Sequence, residues 1–549
     1  MTVTPPRAGE ATVPPTRAGS DGPALGGTGP VSSGFLARAA LVTVGLSLAG
    51  ALLGLGRDQV LAHLFGAGSE TDAFLVAWTV PEFAATLLIE DGLAFALVPA
   101  FSAAVACRAQ GHAGDPVRAL VRSTLPRLAP AFAVLSVLIV CAAPYLVEAL
   151  APGLANPGFA VDCTRLTATC VLTFGLAGYC SAALRAHHRF VAPAAIYIAY
   201  NAAIIAAMFV FGARWGVRAA AVGVVLGGAL MIFTQLPSLL RQLREGPTAT
   251  ATEAAAREAS RRVMSLALIG TVLLFAVCRQ SQVLIERFLA STLPSGAISH
   301  LNYAQKVAQM PMVLALMLCT VTFPVVAQAL AEGDIKRARD RVERDLAVVS
   351  YVVLLGTAAV VACGPQLVHL LFQRGAFTAQ DTAATAAVMR VYALGLLGQA
   401  LVGALVRSYF SMGRPTWYPV AAMTAGIVAT TWIGAATVGS WGVLGIAAAN
   451  AAGITLTALI LLNGLEGRSV PIRTRRVLAG MGRPLRAALV ACGVGWSCAS
   501  SIASPALGLT AGGAAVTVVF LLLARTPGEQ SLVPLLRTVP RRLRDARVR

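Results

Sequence analysis

The chain is 549 residues long, 57% hydrophobic and only 12% charged, with a mean hydropathy of +0.74. That composition excludes a soluble globular enzyme and specifies an all-α polytopic membrane protein. The formal net charge is +19, but the cations fall in short segments between apolar runs, without a basic domain or an aromatic-interleaved patch, so no nucleic acid partner is expected.

Residues 1–33, rich in Pro, Gly, Thr and Ser, have almost nothing to bury and read as a disordered tail. The first apolar run after it is long enough to stay in the membrane, unlike a cleaved signal. At ~20 residues per span, about fourteen transmembrane helices follow, near 36–57, 72–104, 128–150, 164–185, 191–212, 217–238, 263–288, 299–330, 345–372, 382–410, 417–437, 442–463, 485–503 and 506–524. Basic residues should mark every second connection. They do so in Arg108/Arg118/Arg122/Arg127, His187/His188/Arg189, Arg241 to Arg262, Lys336 to Arg344, Arg414, Arg468 to Arg483 and the tail from Arg541. The alternate loops are nearly bare, with Arg214, Arg218 and Arg374 the exceptions. Both termini are therefore predicted to be cytoplasmic.

The chain repeats itself. DQVLAHLF (Asp58–Phe65) resembles SQVLIERF (Ser281–Phe288), and RWGVRAAAVG (Arg214–Gly223) resembles SWGVLGIAAA (Ser440–Ala449). Gln59 and Gln282 are 223 residues apart and Trp215 and Trp441 are 226 apart, so the two matches share nearly one offset. A duplicated six-helix unit explains this, and its even helix number keeps both copies in one orientation, as in parallel repeats. The predicted organisation is a tail (1–33), a six-helix lobe (34–240), a cytoplasmic linker (241–262), a second six-helix lobe (263–465), a basic loop with two extra helices (466–525) and a basic cytoplasmic tail (526–549). Pro81 and Pro99 in the second span and Pro311 and Pro324 in the eighth occupy equivalent positions, where each proline frees a carbonyl and kinks the helix.

Charges inside apolar spans cost at least ~2.5–3.5 kcal/mol at mid-bilayer, and such residues rarely face lipid. The stretch Gly54–Pro99 concentrates them: Arg57, Asp58, Asp72, Glu82, Glu90 and Asp91. Further on, Arg279 sits in the seventh span and Lys306 in the eighth, within LNYAQKVAQMP, in a chain whose 43 basic residues include only two lysines. Cations converging in a dehydrated cavity suit a phosphate or pyrophosphate, arginine supplying a planar fork and lysine a point charge. Simpler roles compete: Lys306 snorkelling to the headgroups, Arg57 pairing with Asp58 or Asp72, and Asp72 and Asp91 capping helix ends. No catalytic constellation, nucleotide loop or metal motif is present, so no enzyme activity and no cofactor is expected. The ten cysteines lie mostly inside apolar runs without CxxC spacing and read as small hydrophobes. Energy would come from a monovalent ion gradient, the membrane potential or the cargo's own downhill path.

Three blocks carry a family resemblance. GRDQVLAHLFGAGSETDAFLVAWTVPEF…EDGLAFALVPAF, then IERFLASTLPSGAISHLNYAQKVAQMP, then LLFQRGAFTAQDTAATAAVMRVYALGLLGQALVGALVRSYFSMGRPTWYPV occur in the order found in the MurJ/MviN lipid II flippases of the multidrug/oligosaccharidyl-lipid/polysaccharide exporter superfamily. The resemblance extends over about residues 35–525. It implies two lobes around a central cavity, a lipid-facing groove formed by the last two helices, and movement of an undecaprenyl-pyrophosphate-linked peptidoglycan precursor across the bacterial plasma membrane. Partners implied are the polyprenyl-pyrophosphate-linked saccharide, membrane lipids and cell-wall synthesis proteins. By motif position Arg57, Asp58 and Asp72 match the family's RD and TDAF elements and Lys306 its cavity arginine; together with the in-span charges Arg279 and Glu90, this makes Arg57, Lys306 and Arg279 the candidate substrate-binding residues and Asp58, Asp72 and Glu90 the pairing or gating ones.

The chain departs from the family pattern at Ala51, at Ala84-Ala85-Thr86, where a paired Arg-Arg is usual, and at Gln305 and Gln309, which replace acids around the cavity cation. Three alternatives follow from those losses: a flippase for another lipid-linked glycan, a cation-coupled drug exporter on the same fold, and a cell-wall scaffold that no longer transports.

Overall fold

The computed structural model describes residues 33–90, 92–109, 115–244, 266–316, 334–410, 416–468 and 472–524. Pro324, Asp91, most of the 241–262 linker and nearly all of both tails lie outside the described residues. The described chain is helical throughout. The first half comprises α1 (Ser33–Phe65), α2 (Ser69–Ala77), α3 (Thr79–Ala84), a π-helical turn (Ala85–Glu90), α4 (Gly92–Ala109), α5 (Pro116–Leu150), α6 (Pro157–Ala168), α7 (Cys170–Ala186), α8 (Val191–Trp215) and α9 (Arg218–Arg244). In the second half are α10 (Leu266–Ser291), α11 (Ala297–Ala308), α12 (Ile335–Ala362), α13 (Gly364–Phe372), α14 (Ala379–Ala393), α15 (Leu396–Phe410), α16 (Tyr418–Arg468), α17 (Thr474–Ser500) and α18 (Pro505–Ala524).

Among the described residues nine helical stretches are long and apolar enough to cross a membrane, or ten if the α14–α15 pair, bent by 48°, counts as one span. The protein is a multi-pass membrane protein. The distance from the expected fourteen has identifiable sources. Two expected spans are merged in α16, where Gly442 turns the chain at φ +54° and ψ −131°. The eighth runs out of the described residues after 316. Helices α1 and α10, 33 and 26 residues long, stand outside the nine although each has an apolar stretch of 18 residues with at most one charge.

Local chemistry sets the breaks. The helix that begins at Ser69 stops at Trp78, three residues before Pro81, because proline cannot donate to the carbonyl four residues back. That carbonyl, Ala77, instead accepts from the Thr167 hydroxyl at 3.1 Å. The helix bearing Lys306 breaks in the same way at Gln309, two residues before Pro311. Pro99 lies inside α4 without interrupting it. Asp115 caps α5 and pairs with Arg108 across the α4–α5 connection, and Thr378 and Asp381 form a reciprocal capping box on α14.

Packing separates inner from outer helices. The α6–α7 stretch has 72% of its apolar window buried, against 22% for both α5 and α18, which therefore present their apolar faces to lipid. Close helix approach uses small residues, as where Gly223 and Gly227 of α9 meet Ile204 and Tyr200 of α8.

The two halves meet at one end of the bundle. The Ala376 amide donates to the His63 carbonyl at 2.9 Å, the Gly153 amide to Ser291 Oγ at 3.4 Å and the Tyr303 hydroxyl to the Gly66 carbonyl at 3.4 Å. Gly66 and Gly375 adopt φ of +66° and +62° here, and a Cβ at Gly375 would collide with the His63 carbonyl. All these loops belong to the set that carries few basic residues.

Candidate binding site between the two halves

Helix α3 carries Glu82 one residue beyond Pro81, just past the break at Trp78, and the break aims this carboxylate across the gap between the halves. Its two oxygens take different cations from the second half: Oε2 accepts from Arg287 of α10 at 2.9 Å, and Oε1 from Lys306 of α11 at 3.1 Å. Arg287 also donates to the Thr79 hydroxyl. The Arg287 side chain is 6% exposed and that of Lys306 31%, so the first is locked in place and the second opens onto a wetter side. Arg57 adds a third cationic field at Glu82.

Arg57 is held from the first half. Its guanidinium pairs with Asp58 at 2.7 Å, donates to Asn201 Oδ1 at 3.3 Å and lies 4.1 Å from the centroid of the Trp78 ring. Three cations thus gather near Glu82, with Arg57 already paired to Asp58 and Arg287 next to the buried Glu286, so a polyanion that displaces these carboxylates would find arginine forks and a lysine point charge within reach. Behind Arg287 an amide network fills the positions left by the missing acids. Gln305 and Gln399 both donate to the Tyr392 hydroxyl at 2.9 Å, Gln309 donates to Gln399, and Asn450 donates to Glu286. The crevice lined by Glu286, Arg287, Asn302 and Gln305 holds about 10 Å³, room for roughly one water.

The other candidates lie elsewhere. Asp72 joins the halves as a cap donated by a foreign helix: its carboxylate accepts from the Gly296 amide at 2.6 Å, the Ser299 amide at 2.8 Å and Ser299 Oγ at 2.6 Å, all at the N-terminus of α11. A buried anion there meets orphan N–H groups and the positive end of the helix dipole. Glu90 accepts from Tyr197 at 2.8 Å within the first half. Arg279 is exposed on α10, eight residues before Arg287 and so ~12 Å along the helix axis. Of the expected binding residues, Arg57 and Lys306 are brought together, and Arg279 stands apart from them. Arg287 is the one that sequence reasoning passed over, and Glu82, counted among the charges of Gly54–Pro99, was given no binding role. Their signal was present in the adjacent Glu286-Arg287 pair inside an apolar run and in a carboxylate directly after a span-breaking proline.

A model described as "Lipid II flippase MurJ" matches residues 61–521 of the chain. The chain belongs to the MurJ lipid II flippase family. Similar relatives include the lipid II flippase MurJ of Burkholderia cenocepacia, 30% identical over 446 residues and covering 79% of this chain and 84% of the relative. The probable lipid II flippase MurJ of Rhizobium meliloti is 26% identical over 528 residues, covering 90% and 95%. Among solved structures, a lipid II flippase MurJ in an inward closed conformation superposes with a TM-score of 0.71 at 18% identity, covering 88% of this chain and 98% of that one. An inward-facing multidrug MATE transporter gives 0.59 at 14% identity, covering 80% and 99%. The fold is that of MurJ and MATE proteins, and the family is one of transporters rather than enzymes. Family membership sets the chain with the lipid flippases, while its likeness to drug exporters is one of fold.

Proposed function

We propose that the chain flips a polyprenyl-pyrophosphate-linked peptidoglycan precursor, lipid II, from the inner to the outer leaflet of the bacterial plasma membrane. The observation that carries this reading is Glu82 bridged to Arg287 and Lys306, with Arg57 beside it. A pyrophosphate is a better partner for these cations than one carboxylate, because it offers more acceptor oxygens and more charge. With both termini cytoplasmic, the seam through His63, Gly153 and Gly375 closes the outer face. A headgroup entering from the cytoplasm would then displace Glu82 from Arg287 and Lys306. That exchange removes a bond between the halves and supplies differential binding between a closed and an open arrangement. The six-helix lobes then rock about the cluster.

The test is translocation of labelled lipid II by the purified protein in liposomes, beside Arg287→Gln and Lys306→Gln. Movement by the wild type, lost in both variants, is expected. Full activity in both variants would remove the cluster from the mechanism. A well-folded wild type that moves no lipid II would favour another lipid-linked glycan or the scaffold role.

A further inference from the structure

Arg390 stands outside the cluster, on α14. Its Nε donates to the Val361 carbonyl at 2.9 Å, near the end of α12, and its guanidinium lies 4.9 Å from the centroid of the Trp496 ring on α17. Among the described residues no carboxylate pairs with it. Trp496 is 51% exposed and lies one turn before the end of α17. The next helix, α18, has 20 residues and so just spans the ~30 Å of hydrocarbon, which puts the α17–α18 turn at a membrane surface and Trp496 close beneath it. An arginine close to the surface reaches the headgroup level, where its planar fork matches a phosphate.

One turn further along the same stripe of α14, Leu394 is 65% exposed, at the place where α14 and α15 bend by 48°. Between this bend and α16 lies an apolar groove of about 440 Å³, lined by Val391, Leu394, Ala448, Ala452, Thr455 and Leu459 among others. Alanines at 448 and 452 leave the space open. Gly395 packs on Ala451 and Gly398 on Thr455, so the α14–α15 pair and this part of α16 run the same way. The groove therefore starts near the level of Arg390 and runs inward from it, ~16 Å along α16 from Ala448 to Leu459. A cation at the headgroup level with an apolar channel leading from it into the hydrocarbon has the layout of one lipid molecule.

We propose that Arg390, Trp496 and the groove between the α14–α15 bend and α16 bind an anionic phospholipid, its phosphate on the guanidinium and one chain along the groove. The site is separate from the Glu82 cluster, and Trp496 of α17 stands beside Arg390 rather than in the lining of the groove. Occupancy wedges the α14–α15 bend, and α14 also carries Tyr392, which accepts from Gln305, a residue that lines the crevice beside Arg287.

The experiment is native mass spectrometry of the full-length protein in detergent, with phosphatidylglycerol, with diacylglycerol of the same chains, and with inorganic pyrophosphate as competitor. Retention of one phosphatidylglycerol and no diacylglycerol is expected. Arg390→Gln should weaken retention roughly tenfold, corresponding to the loss of one charge-assisted contact. Ala452→Leu, which fills the groove and keeps the cation, should weaken it as well, and Arg390→Lys should keep part of it. If Arg390→Gln fails to fold, Ala452→Leu and Arg390→Lys decide. Equal retention of both lipids, or phosphatidylglycerol retention unchanged in the variants that fold, overturns the proposal. Full displacement by pyrophosphate overturns it too, since the retained lipid would then sit at the Glu82 cluster rather than at Arg390.

Discussion

Glu82 is the residue on which the contact between the halves turns. Its carboxylate neutralises a nearly buried arginine and a half-exposed lysine that belong to other helices. Removing one partner of such a pair leaves a charge uncompensated, at a cost of about 3–5 kcal/mol when burial is complete. Partial exposure of Glu82 and Lys306 puts Glu82→Gln at about 2–3 kcal/mol of lost stability. Thermal unfolding in detergent should show a lowered midpoint, restored when pyrophosphate is added, because the ligand replaces the missing anion. An unchanged midpoint would mean that the cluster is fully solvated. At this scale the sequence is half readable. Lys306 and Arg57 announce themselves as charges in apolar runs, and so does Glu82. That Arg287 is their partner depends on a contact 205 residues long in sequence, which no local pattern encodes. Asp72 shows the same limit: as a charge near a helix start it reads as a cap of its own helix, whereas it caps α11, 224 residues away.

At the scale of elements, prolines and glycines mark where helices stop being straight. The breaks at Trp78 and Gln309 follow from Pro81 and Pro311 and were readable from the sequence, because the missing N–H is a local fact. Pro99 shows that a proline need not break its helix. The π-helical turn at Ala85–Glu90 was not readable, since its extra residue answers to neighbouring packing. Gly442 sits in a backbone region that non-glycine residues rarely enter. Gly442→Ala should cost about 1–3 kcal/mol through that strain. The check is the thermal midpoint of the variant beside Gly439→Ala, a nearby position with open space that should be neutral. Equal midpoints for the two would show that the kink relaxes without glycine.

For the whole molecule, the alternation of basic and bare loops predicted which connections share a face, and the structure brings several bare loops into contact at one end. The span total was less readable, because two spans merge in α16 and the eighth runs beyond the described residues. Lobe rocking predicts a distance change at that end. Spin labels at Gly158→Cys and Arg374→Cys, on exposed positions of opposite halves in a background without native cysteines, should give one narrow distance in the resting protein. Adding lipid II should create a second, longer population. A single distance under both conditions would argue against opening at this face.

The seam itself is built largely from main-chain groups and hydroxyls: His63 to Ala376, Gly153 to Ser291 and Gly66 to Tyr303. These three contacts neither titrate nor respond to dissolved salt, unlike the Glu82 cluster deeper inside, and the Asp72 carboxylate that also joins the halves is buried against the Gly296 and Ser299 amides. If this end faces outward, as proposed above, the mouth is held largely by contacts insulated electrically from the medium that a bacterium cannot control. Salt or osmotic shock on that side would then leave these main-chain and hydroxyl contacts in place.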